Sequence, residues 1–309
     1  MSNSTTFKNL VYSIMAGYQS NTNMVKIDSP VPINKASVLE IVNKLQFLVF
    51  PGYFSTINLK SDTVEYYTGS LLEELAHHLE KQIFRAFYLY GGNEDGLQER
   101  SEKIALEFLQ RVPAVQSLLS TDVDAFYDGD PAAYNTDEII LSYPGLYALM
   151  VNRLAHELYI LGVPTIPRMM TEHAHSLTGI DINPGAVIGH HFFMDHGTGI
   201  VVGETTIIGN YVKVYQGVTL GALSTRGGQQ LRGKKRHPTI EDNVTIYSGA
   251  SILGGDTIIG KNVTIGSNAF IVKSVPEQTK VSIRSPELSI VSNESKHTQD
   301  ADGNWYYMI

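Results

Sequence analysis

An aliphatic residue recurs every six positions through the second half of the chain, and this repeat restricts the fold more than any other feature. The recurring positions are Val202, Ile208, Val214 and Leu220, then Ile240, Ile246 and Ile252, and then, one residue late, Ile259, Ile265 and Ile271. Self-similarity at a short fixed period is typical of a solenoid, in which each repeat packs on its neighbours. Strands of a β-sandwich alternate at period two instead, so the repeat argues against that architecture.

A second set of positions completes the repeat. Small, β-branched or other apolar residues follow the aliphatic positions at four-residue spacing: Thr206, Val212 and Val218, with Ala186 and Phe192 after the earlier members Ile182 and Ile188. Glycine and asparagine at 209–210 and 260–262 suit corners, where a bulky side chain would clash or a positive φ is needed. Three such repeats close a triangular coil of about 18 residues. We therefore predict a left-handed parallel β-helix over residues 176–285.

Residues 1–175 follow a different periodicity. Apolar residues recur at three- and four-residue spacing near 38–48, 72–83, 104–119 and 146–161, as they do on amphipathic helices. Breakers containing Gly or Pro at 51–52, 91–92, 128–131 and 144–145 separate these segments. The chain is therefore predicted to be α+β: an α-helical N-terminal domain over 1–175, the β-helix domain, and a flexible polar tail over 286–309.

Composition and charge exclude several classes of function. The formal net charge of −8 argues against a general nucleic-acid or membrane-surface binder, since such partners favour a basic face. The first twenty residues lack a basic stretch followed by an apolar core, so they favour a helix over a secretory signal. The chain has no cysteine, which excludes a disulfide framework, a thiolate metal site and a cysteine nucleophile. We expect a cytoplasmic protein.

The repeat is interrupted twice, and functional residues are expected where a regular scaffold departs from its own rule. At residues 193–199, FMDHGTG, the spacing from Met194 to Val202 is eight instead of six. At 221–236, GALSTRGGQQLRGKKR, a polar segment rich in Gly, Lys and Arg separates two coils. This segment cannot join the apolar column, so we expect it to loop out, with His237 immediately after it.

The motifs at these interruptions resemble the serine acetyltransferase signature within the hexapeptide-repeat acyltransferases. They are MDH at 194–196 and GIVVGE at 199–204, with DINPG at 181–185, VTLG at 218–221 and RHP at 236–238 in the family order. Upstream, Asp130-Pro131 and the segment from YPG at 143–145 to His156 are also similar. The resemblance covers about residues 125–275. It implies a helical N-terminal domain, a trimeric β-helix domain, acetyl-CoA as donor and serine as acceptor, the first step of cysteine biosynthesis.

The chemistry of acetyl transfer suggests roles for His196 and Asp181. A serine hydroxyl needs a base to attack a thioester at neutral pH, and a neutral imidazole with a pKa near ~6.5 suits that task. We predict His196 as this base. Asp181, about one coil upstream, is predicted to fix its tautomer, and the resemblance implies the same pair. Alternative interpretations are a corner histidine bonded to the backbone for His196 and a turn residue for Asp181.

Serine is a zwitterion, so its pocket needs both signs of charge. By resemblance, Arg236 and His237 bind the carboxylate, for which the planar fork of arginine is suited. Asp130 and Asp195 are predicted to bind the ammonium group. Asp130-Pro131 also fits a helix N-cap followed by proline, and the two roles are compatible. Glu204 is either an orienting residue or a solvated corner residue.

Acetyl-CoA needs cations for its phosphates and a channel for its pantetheine arm. Arg226, Arg232, Lys234 and Lys235 in the insertion are candidates for the phosphates, with a solvated basic loop as the alternative. The pantetheine arm is predicted to lie near five residues along the β-helix edge: Gly221, Ala222, Ser248, Gly249 and Lys273. No glycine-rich nucleotide loop occurs in the sequence, which agrees with CoA rather than ATP.

Three other functions are weighed against this prediction. One is a zinc enzyme of the carbonic anhydrase type, using His190, His191, His196 or His237. The adjacent His190 and His191 are expected to point to opposite sides of a strand, which argues against one shared ion, and no metal is expected. The second is acyl transfer to another hydroxyl acceptor, such as a sugar, an antibiotic or homoserine. The third is a scaffold without catalytic activity.

The C-terminus and the flat faces of the prism suggest partners. The tail ends in an apolar tip, Trp305 to Ile309, which suits capture in a partner's cleft. Serine acetyltransferases that dock into O-acetylserine sulfhydrylase end in Ile, so Ile309 is a candidate for the same contact, with folding back onto the chain's own trimer as the alternative. A homotrimer is expected, and a hexamer is left open. Inhibition by cysteine is an expectation from the family alone.

Overall fold

In the computed structural model, which describes residues 3–27, 32–55, 58–92 and 95–283, helices precede a parallel β-helix. The predicted α+β order is confirmed. Seven α-helices lie within the described residues: α1 (Asn3–Ser20), α2 (Lys35–Val49), α3 (Val64–Leu89), α4 (Leu97–Gly129), α5 (Thr136–Ser142), α6 (Pro144–Ile160) and α7 (Ile166–Thr178). The predicted tail, 286–309, lies outside the described residues.

Local signals explain where several helices begin and end. The side chain of Asn34 accepts a hydrogen bond from the Ser37 N–H and caps α2. Pro144 opens α6 at a position where its missing N–H costs nothing. Gly179 has a φ of 71° and ends α7 in the left-handed conformation, so the chain turns directly into the first strand.

Apolar side chains between α2, α3, α4 and α6 form the helical part of one apolar core that continues into the β-helix. Leu45, Leu79, Phe108 and Leu119 are fully buried there. Burial of each such side chain stabilises the fold by roughly 1.5–3 kcal/mol. None of the helices in the described part of the chain is both long enough and apolar enough to cross a bilayer.

The β-helix has three faces, each formed by one parallel sheet. Sheet A contains β1 (Asp181–Ile182), β4 (Val201–Val202), β7 (Thr219–Gly221), β10 (Ser251–Leu253) and β13 (Phe270–Ile271). Sheet B contains β2 (Val187–Ile188), β5 (Ile207–Ile208), β8 (Thr239–Ile240) and β11 (Ile258–Ile259). Sheet C contains β3 (Phe193–Asp195), β6 (Lys213–Tyr215), β9 (Thr245–Ile246), β12 (Thr264–Ile265) and β14 (Lys280–Val281). The turns between the sheets stack into three columns, and we name each column by the two sheets that it connects: corners A–B, B–C and C–A.

The strand register shows where the coils depart from 18 residues. Val201 pairs with Thr219, eighteen positions on, whereas Asp181 pairs with Val201, twenty positions on. Thr219 pairs with Ser251 across the long insertion. Ser251 pairs with Phe270, nineteen positions on, and the extra residue of that coil explains the one-residue delay in the sequence period.

The buried column follows the predicted residues, but the corner chemistry differs in part from the prediction. The predicted inward residues Ala186, Phe192, Thr206, Val212 and Val218 are all buried. At corner B–C the positive φ falls on Tyr211 (57°) rather than on Gly209 or Asn210. Gly209 is required for close approach instead, because a Cβ there would lie 2.5 Å from Asp242 Oδ1.

A buried ion pair joins the helical half to the first coil. Arg153 of α6 donates from Nε and Nη2 to the Asp122 carboxylate of α4, at 2.6 and 2.8 Å. The same guanidinium donates to the carbonyls of Ile188 and Gly189, and Asp122 accepts the Phe192 N–H. The backbone of the first coil is thus bonded directly to two helices, which fixes the end of α4 against sheet C.

Candidate active site

His196 lies in a two-residue bulge of corner C–A, where the first coil is longer than the second. The regular hydrogen bonds between coils resume after the bulge: Thr198 O accepts the Gly217 N–H at 3.0 Å, and the Gly199 N–H donates to Gly179 O at 2.8 Å. His196 and Gly197 are therefore the residues that project from the corner. Both have positive φ, 55° and 78°, and the His196 side chain is 69% exposed. Positive φ recurs at the corners of this β-helix, at Tyr211, Asn243 and Asn262 among others, so the two extra residues of the bulge are what distinguish His196.

Two carboxylates border the bulge. Asp195, the last residue of β3, places Oδ1 3.5 Å from His196 Nδ1. Asp130 follows α4, accepts the Ala132 N–H at 2.8 Å and accepts the Tyr143 hydroxyl at 2.6 Å. Among the described residues, neither carboxylate forms an ion pair with a lysine or an arginine.

These neighbours control the protonation of Asp130 and Tyr143. The Tyr143 hydroxyl, the Ala132 N–H and the positive charge that His196 can carry hold the pKa of Asp130 below its usual range, against the opposing effect of burial. The bond to Asp130, burial and the nearby Asp195 carboxylate raise the pKa of Tyr143 to about 12. Asp130 is therefore an anion and Tyr143 a neutral donor at neutral pH. Sequence analysis placed Tyr143 only within a motif and missed this contact.

Asp181 lies at the same corner, one coil level below the bulge. Its N–H bonds to Ile200 O at 2.9 Å, and its carboxylate accepts Arg168 Nη1 of α7 at 3.1 Å. Within residues 3–283 as described, no hydrogen bond or ion pair joins Asp181 to His196. The pairing of these two side chains therefore stays a prediction, and Arg168 is the partner that the structure shows for Asp181.

Arg236 and His237 lie at corner A–B, where the insertion returns to the β-helix. Arg236 pairs with Glu204, which also accepts the Tyr159 hydroxyl at 3.1 Å. Burial acts to raise the pKa of Glu204, but the bonds from Arg236 and Tyr159 outweigh it and the pKa is lowered. Glu204 thus orients Arg236 from below.

The imidazole of His237 is buried and held in one tautomer. Its Nδ1 accepts the Thr205 N–H at 3.0 Å, so its proton lies on Nε2. Burial, with the charges of Arg236 and Lys235, lowers the pKa of His237 to about 4. His237 is therefore a neutral hydrogen-bond donor at physiological pH. Gly203 makes this possible, since a Cβ there would lie 2.1 Å from His237 Cδ2.

The two halves of the predicted serine pocket occupy different corners of one chain. Asp130, Asp195 and His196 gather at corner C–A, whereas Arg236 and His237 lie at corner A–B. A face of about five residues at ~3.3 Å per residue separates these corners by ~16 Å. A single serine molecule cannot bridge that distance, so the structure does not bring the two predicted halves together within one chain.

The predicted CoA residues border the upper part of sheet A. Gly221 ends β7 and Ala222 begins corner A–B, the exposed Lys273 lies at the same corner two coils higher, and Ser248 and Gly249 lie at corner C–A. Three stacked glycines at positive φ, Gly199, Gly217 and Gly249, form corner C–A directly above the bulge, and the side chain of Asn268 lies over the last of them.

The four basic residues predicted to bind the CoA phosphates differ in their surroundings. Lys235 donates from Nζ to the carbonyls of Thr205, His237 and Pro238. Its ammonium group therefore holds the end of the insertion against the β-helix and is not directed at a phosphate ligand. Arg226 and Lys234 are exposed. Arg232 lines a cavity of about 540 Å³ beside Glu204 and the start of α7.

The arrangement of histidines corrects one expectation. His190 and His191 do not point to opposite sides of a strand: their Nδ1 atoms lie 2.7 Å apart, because they lie at corner B–C and His191 has a φ of 54°. His196 and His237 lie at the two other corners. Glu172, His175 and Asp181 lie close enough together to be considered as metal ligands, but Arg168 already forms ion pairs with the carboxylates of Glu172 and Asp181.

Known proteins resemble this chain in sequence. No protein-family model matches it. The plasmid serine acetyltransferase of Synechococcus elongatus is 42% identical over 225 residues, which cover 70% of each chain. The chain belongs to the serine acetyltransferase family. The serine acetyltransferase of Synechocystis is 48% identical over 126 residues, and that match spans about half of the relative's length, 48%.

Solved serine acetyltransferase structures share the fold. Isoform 3 from Entamoeba histolytica, determined in complex with cysteine, matches with a TM-score of 0.70 at 38% identity, covering 82% of this chain and 84% of that one. The Neisseria gonorrhoeae serine acetyltransferase in complex with serine matches with a TM-score of 0.53 at 25% identity, covering 80% and 97%. The prediction of an acyltransferase of this family is confirmed, and the carbonic anhydrase alternative is not favoured.

Proposed function

We propose that this chain transfers the acetyl group of acetyl-CoA to the hydroxyl of L-serine, giving O-acetylserine and CoA in cysteine biosynthesis. Membership of the serine acetyltransferase family supports the reaction. The observation that carries the site assignment is the exposed His196 imidazole beside two carboxylates, Asp130 and Asp195, that lack a lysine or arginine partner in the described structure.

His196 acts as the general base through Nε2. Its Nδ1 faces the Asp195 carboxylate at 3.5 Å, which favours a proton on Nδ1 and leaves the lone pair of Nε2 toward the solvent side. The serine Oγ gives its proton to Nε2 while it attacks the thioester carbonyl. The tetrahedral intermediate then collapses with cleavage of the C–S bond, and the imidazolium returns the proton to the CoA thiolate.

The carboxylate that stabilises the imidazolium is proposed to be Asp181. Its location at the same corner supports this role, and its bond to Arg168 competes with it. Asp195 is the alternative, since it already lies beside Nδ1. Asp181→Asn and Asp195→Asn proteins separate the two: loss of the imidazolium partner lowers kcat, whereas loss of an ammonium ligand raises the KM for serine.

Serine is proposed to bind between copies of the chain. Asp130 and Asp195 take its ammonium group, and Arg236 and His237 from the neighbouring copy take its carboxylate. The separation of these groups on opposite edges of sheet A supports a homotrimer with its sites between chains. Pairing of trimers into a hexamer would not alter the site.

The pantetheine arm of acetyl-CoA is proposed to follow the column of glycines above His196. The absence of side chains along Gly199, Gly217 and Gly249 leaves room for a narrow chain, with the predicted contacts Ser248 and Lys273 on either side of sheet A. No metal is needed for this reaction. Activity that survives removal of divalent cations by a chelator would agree with this.

Two further proposals concern the partner and the location of the enzyme. Ile309 is proposed to anchor a complex with O-acetylserine sulfhydrylase, and the apolar end of the sequence supports this. Unchanged binding after deletion of Ile309 would contradict it. A cytoplasmic location is proposed on the basis of a sequence without cysteine.

Steady-state kinetics with serine and acetyl-CoA test the proposed function. His196→Ala should lower kcat by about 10²–10⁴-fold, the usual contribution of a general base. His77→Ala, which alters an exposed imidazole on α3, should keep the parent rate. Parallel assays with homoserine and a galactoside identify another acceptor. A folded His196→Ala protein that retains parental turnover would refute the assignment.

A further inference from the structure

Asp195 is the lowest member of a column on the outer side of sheet C. Tyr215 pairs with Asp195 in the register of β3 and β6, one coil above it. Tyr247 lies one coil higher, with its ring stacked on that of Tyr215 at a centroid distance of 5.1 Å and an angle of 23°. Coil levels are about 4.8 Å apart, so the Tyr215 ring lies directly over the level of the Asp195 carboxylate.

The Tyr215 ring is fixed from two sides. Tyr247 covers its upper face, and Phe193 meets it edge-on with centroids 6.4 Å apart and planes at 89°. Its lower face is directed toward the coil that carries Asp195, beside the end of α4 and Asp130. A ligand held between these two carboxylates would therefore lie under the aromatic face.

The surroundings of Tyr215 are acidic. Burial raises the pKa of the Tyr215 hydroxyl, and the carboxylates of Asp195 and Asp130 raise it further, which places both charges close to the ring. Lys213, two residues earlier on the same strand, extends over the Phe193 ring at 6.0 Å, in the neighbouring column. The hydroxyl of Tyr215 has no hydrogen-bond partner among the described residues.

We propose that Tyr215 is a specificity-determining residue for the acceptor, because its ring contacts the primary ammonium group held by Asp130 and Asp195. An aromatic face attracts an ammonium ion through its quadrupole, and two carboxylates supply the charge and hydrogen-bond acceptors that complete the recognition. The site then selects small hydroxy compounds that carry a protonated amine over those that lack one. This inference rests on the proposed function and names the group that the acceptor must present.

The test compares serine with 3-hydroxypropanoate, which has the same hydroxyl and carboxylate but no amine. Tyr215→Leu should raise the KM for serine about 3- to 30-fold, the range of a partly desolvated cation–π contact. The ratio of kcat/KM for the two acceptors should fall by the same factor. The kcat for serine and the KM for acetyl-CoA should stay within about twofold, since no reacting atom touches the ring.

Three further variants separate recognition from packing. Tyr215→Phe keeps the ring, so its acceptor ratio should stay within about twofold of the parent. Tyr211→Leu removes an exposed tyrosine ring at corner B–C, away from the stack, and serves as the matched control that should keep the parent acceptor ratio. Tyr215→Met fills a similar volume and should reproduce the loss if Tyr215→Leu does not fold.

The outcomes distinguish this inference from the proposed function. A parent protein that does not acetylate serine refutes both. An active parent with an unchanged acceptor ratio in the folded Tyr215→Leu or Tyr215→Met protein refutes the inference alone. A Tyr215→Phe protein that loses selectivity as strongly as Tyr215→Leu would assign the effect to the hydroxyl and overturn the role of the ring.

Discussion

Removal of Arg153 should destabilise the protein more than any change at its surface. The side chains of Arg153 and Asp122 are 4% and 0% exposed, and their two bonds measure 2.6 and 2.8 Å. Arg153→Met leaves the Asp122 carboxylate buried with the Phe192 N–H as its one remaining donor among the described residues, and it removes the Arg153 donors to Ile188 O and Gly189 O. Breaking one partner of such a pair costs about 3–5 kcal/mol in the free energy of unfolding.

Urea unfolding at a fixed protein concentration measures this cost, because association of chains would otherwise shift the midpoint. The double variant Asp122→Leu, Arg153→Met removes the stranded charge as well. It should recover about 2 kcal/mol or more relative to Arg153→Met alone, since apolar replacement of a buried pair is close to neutral. The free energies of the two single variants should therefore not add.

The same change should affect serine binding before it unfolds the protein. Asp130 lies eight residues beyond Asp122, about 12 Å along α4 and its end. Loosening the contact between α4 and the first coil moves Asp130 relative to Asp195, so the KM for serine should rise in the folded fraction. A cost below about 1 kcal/mol for Arg153→Met, or strict additivity in the double variant, would refute the reasoning.

Three other substitutions test the site. The pKa of His237 is about 4 in the folded protein against 6.5 for an ordinary histidine, so the unfolded chain binds the proton more readily. The stability that this difference contributes is complete above pH 6.5 and is lost as the pH falls from there through 4. Urea titrations should show a loss of up to about 3 kcal/mol in the free energy of unfolding, and His237→Gln should abolish it. Gly203→Ala should cost about 1–3 kcal/mol by displacing the His237 ring, whereas parental stability would show that the ring moves freely. Tyr143→Phe removes the bond that lowers the pKa of Asp130, so the KM for serine should rise on acidification at a higher pH than in the parent, and an unchanged pH profile would contradict this.

The six-residue repeat specified the β-helix because every inward position contributes to one continuous column. Ile246 and Ile252 are buried by the equivalent residues of the coils above and below them, so a six-residue pattern in the sequence determines the whole β-helix. The helical half was predicted less completely. The short α5, Thr136–Ser142, lacks a full amphipathic period, and α4 extends well beyond the predicted segment 104–119.

The candidate site was predictable where it depends on the repeat and not where it depends on contacts between elements. The two extra residues at His196 follow from the broken period. The coil spacing, lengthened by the same two residues, also places Tyr215 one coil above Asp195. The Arg168–Asp181 pair joins α7 to the first strand, and no spacing in the sequence indicates it.

The position of His196 and Arg236 on different corners has a consequence that mixing experiments can measure. If each site takes His196 from one chain and Arg236 from the next, His196→Ala and Arg236→Ala proteins are both inactive alone. Random trimers refolded from equal amounts of the two should contain intact sites at about one position in four, because an intact site needs an Arg236→Ala chain on one side and a His196→Ala chain on the other. Activity should return to about a quarter of the parent value, and His196→Ala mixed with a second His196 variant, Gln, should regain none. Failure of the mixture to regain activity, with trimers present by mass measurement, would contradict the proposal that each site takes His196 and Arg236 from neighbouring chains.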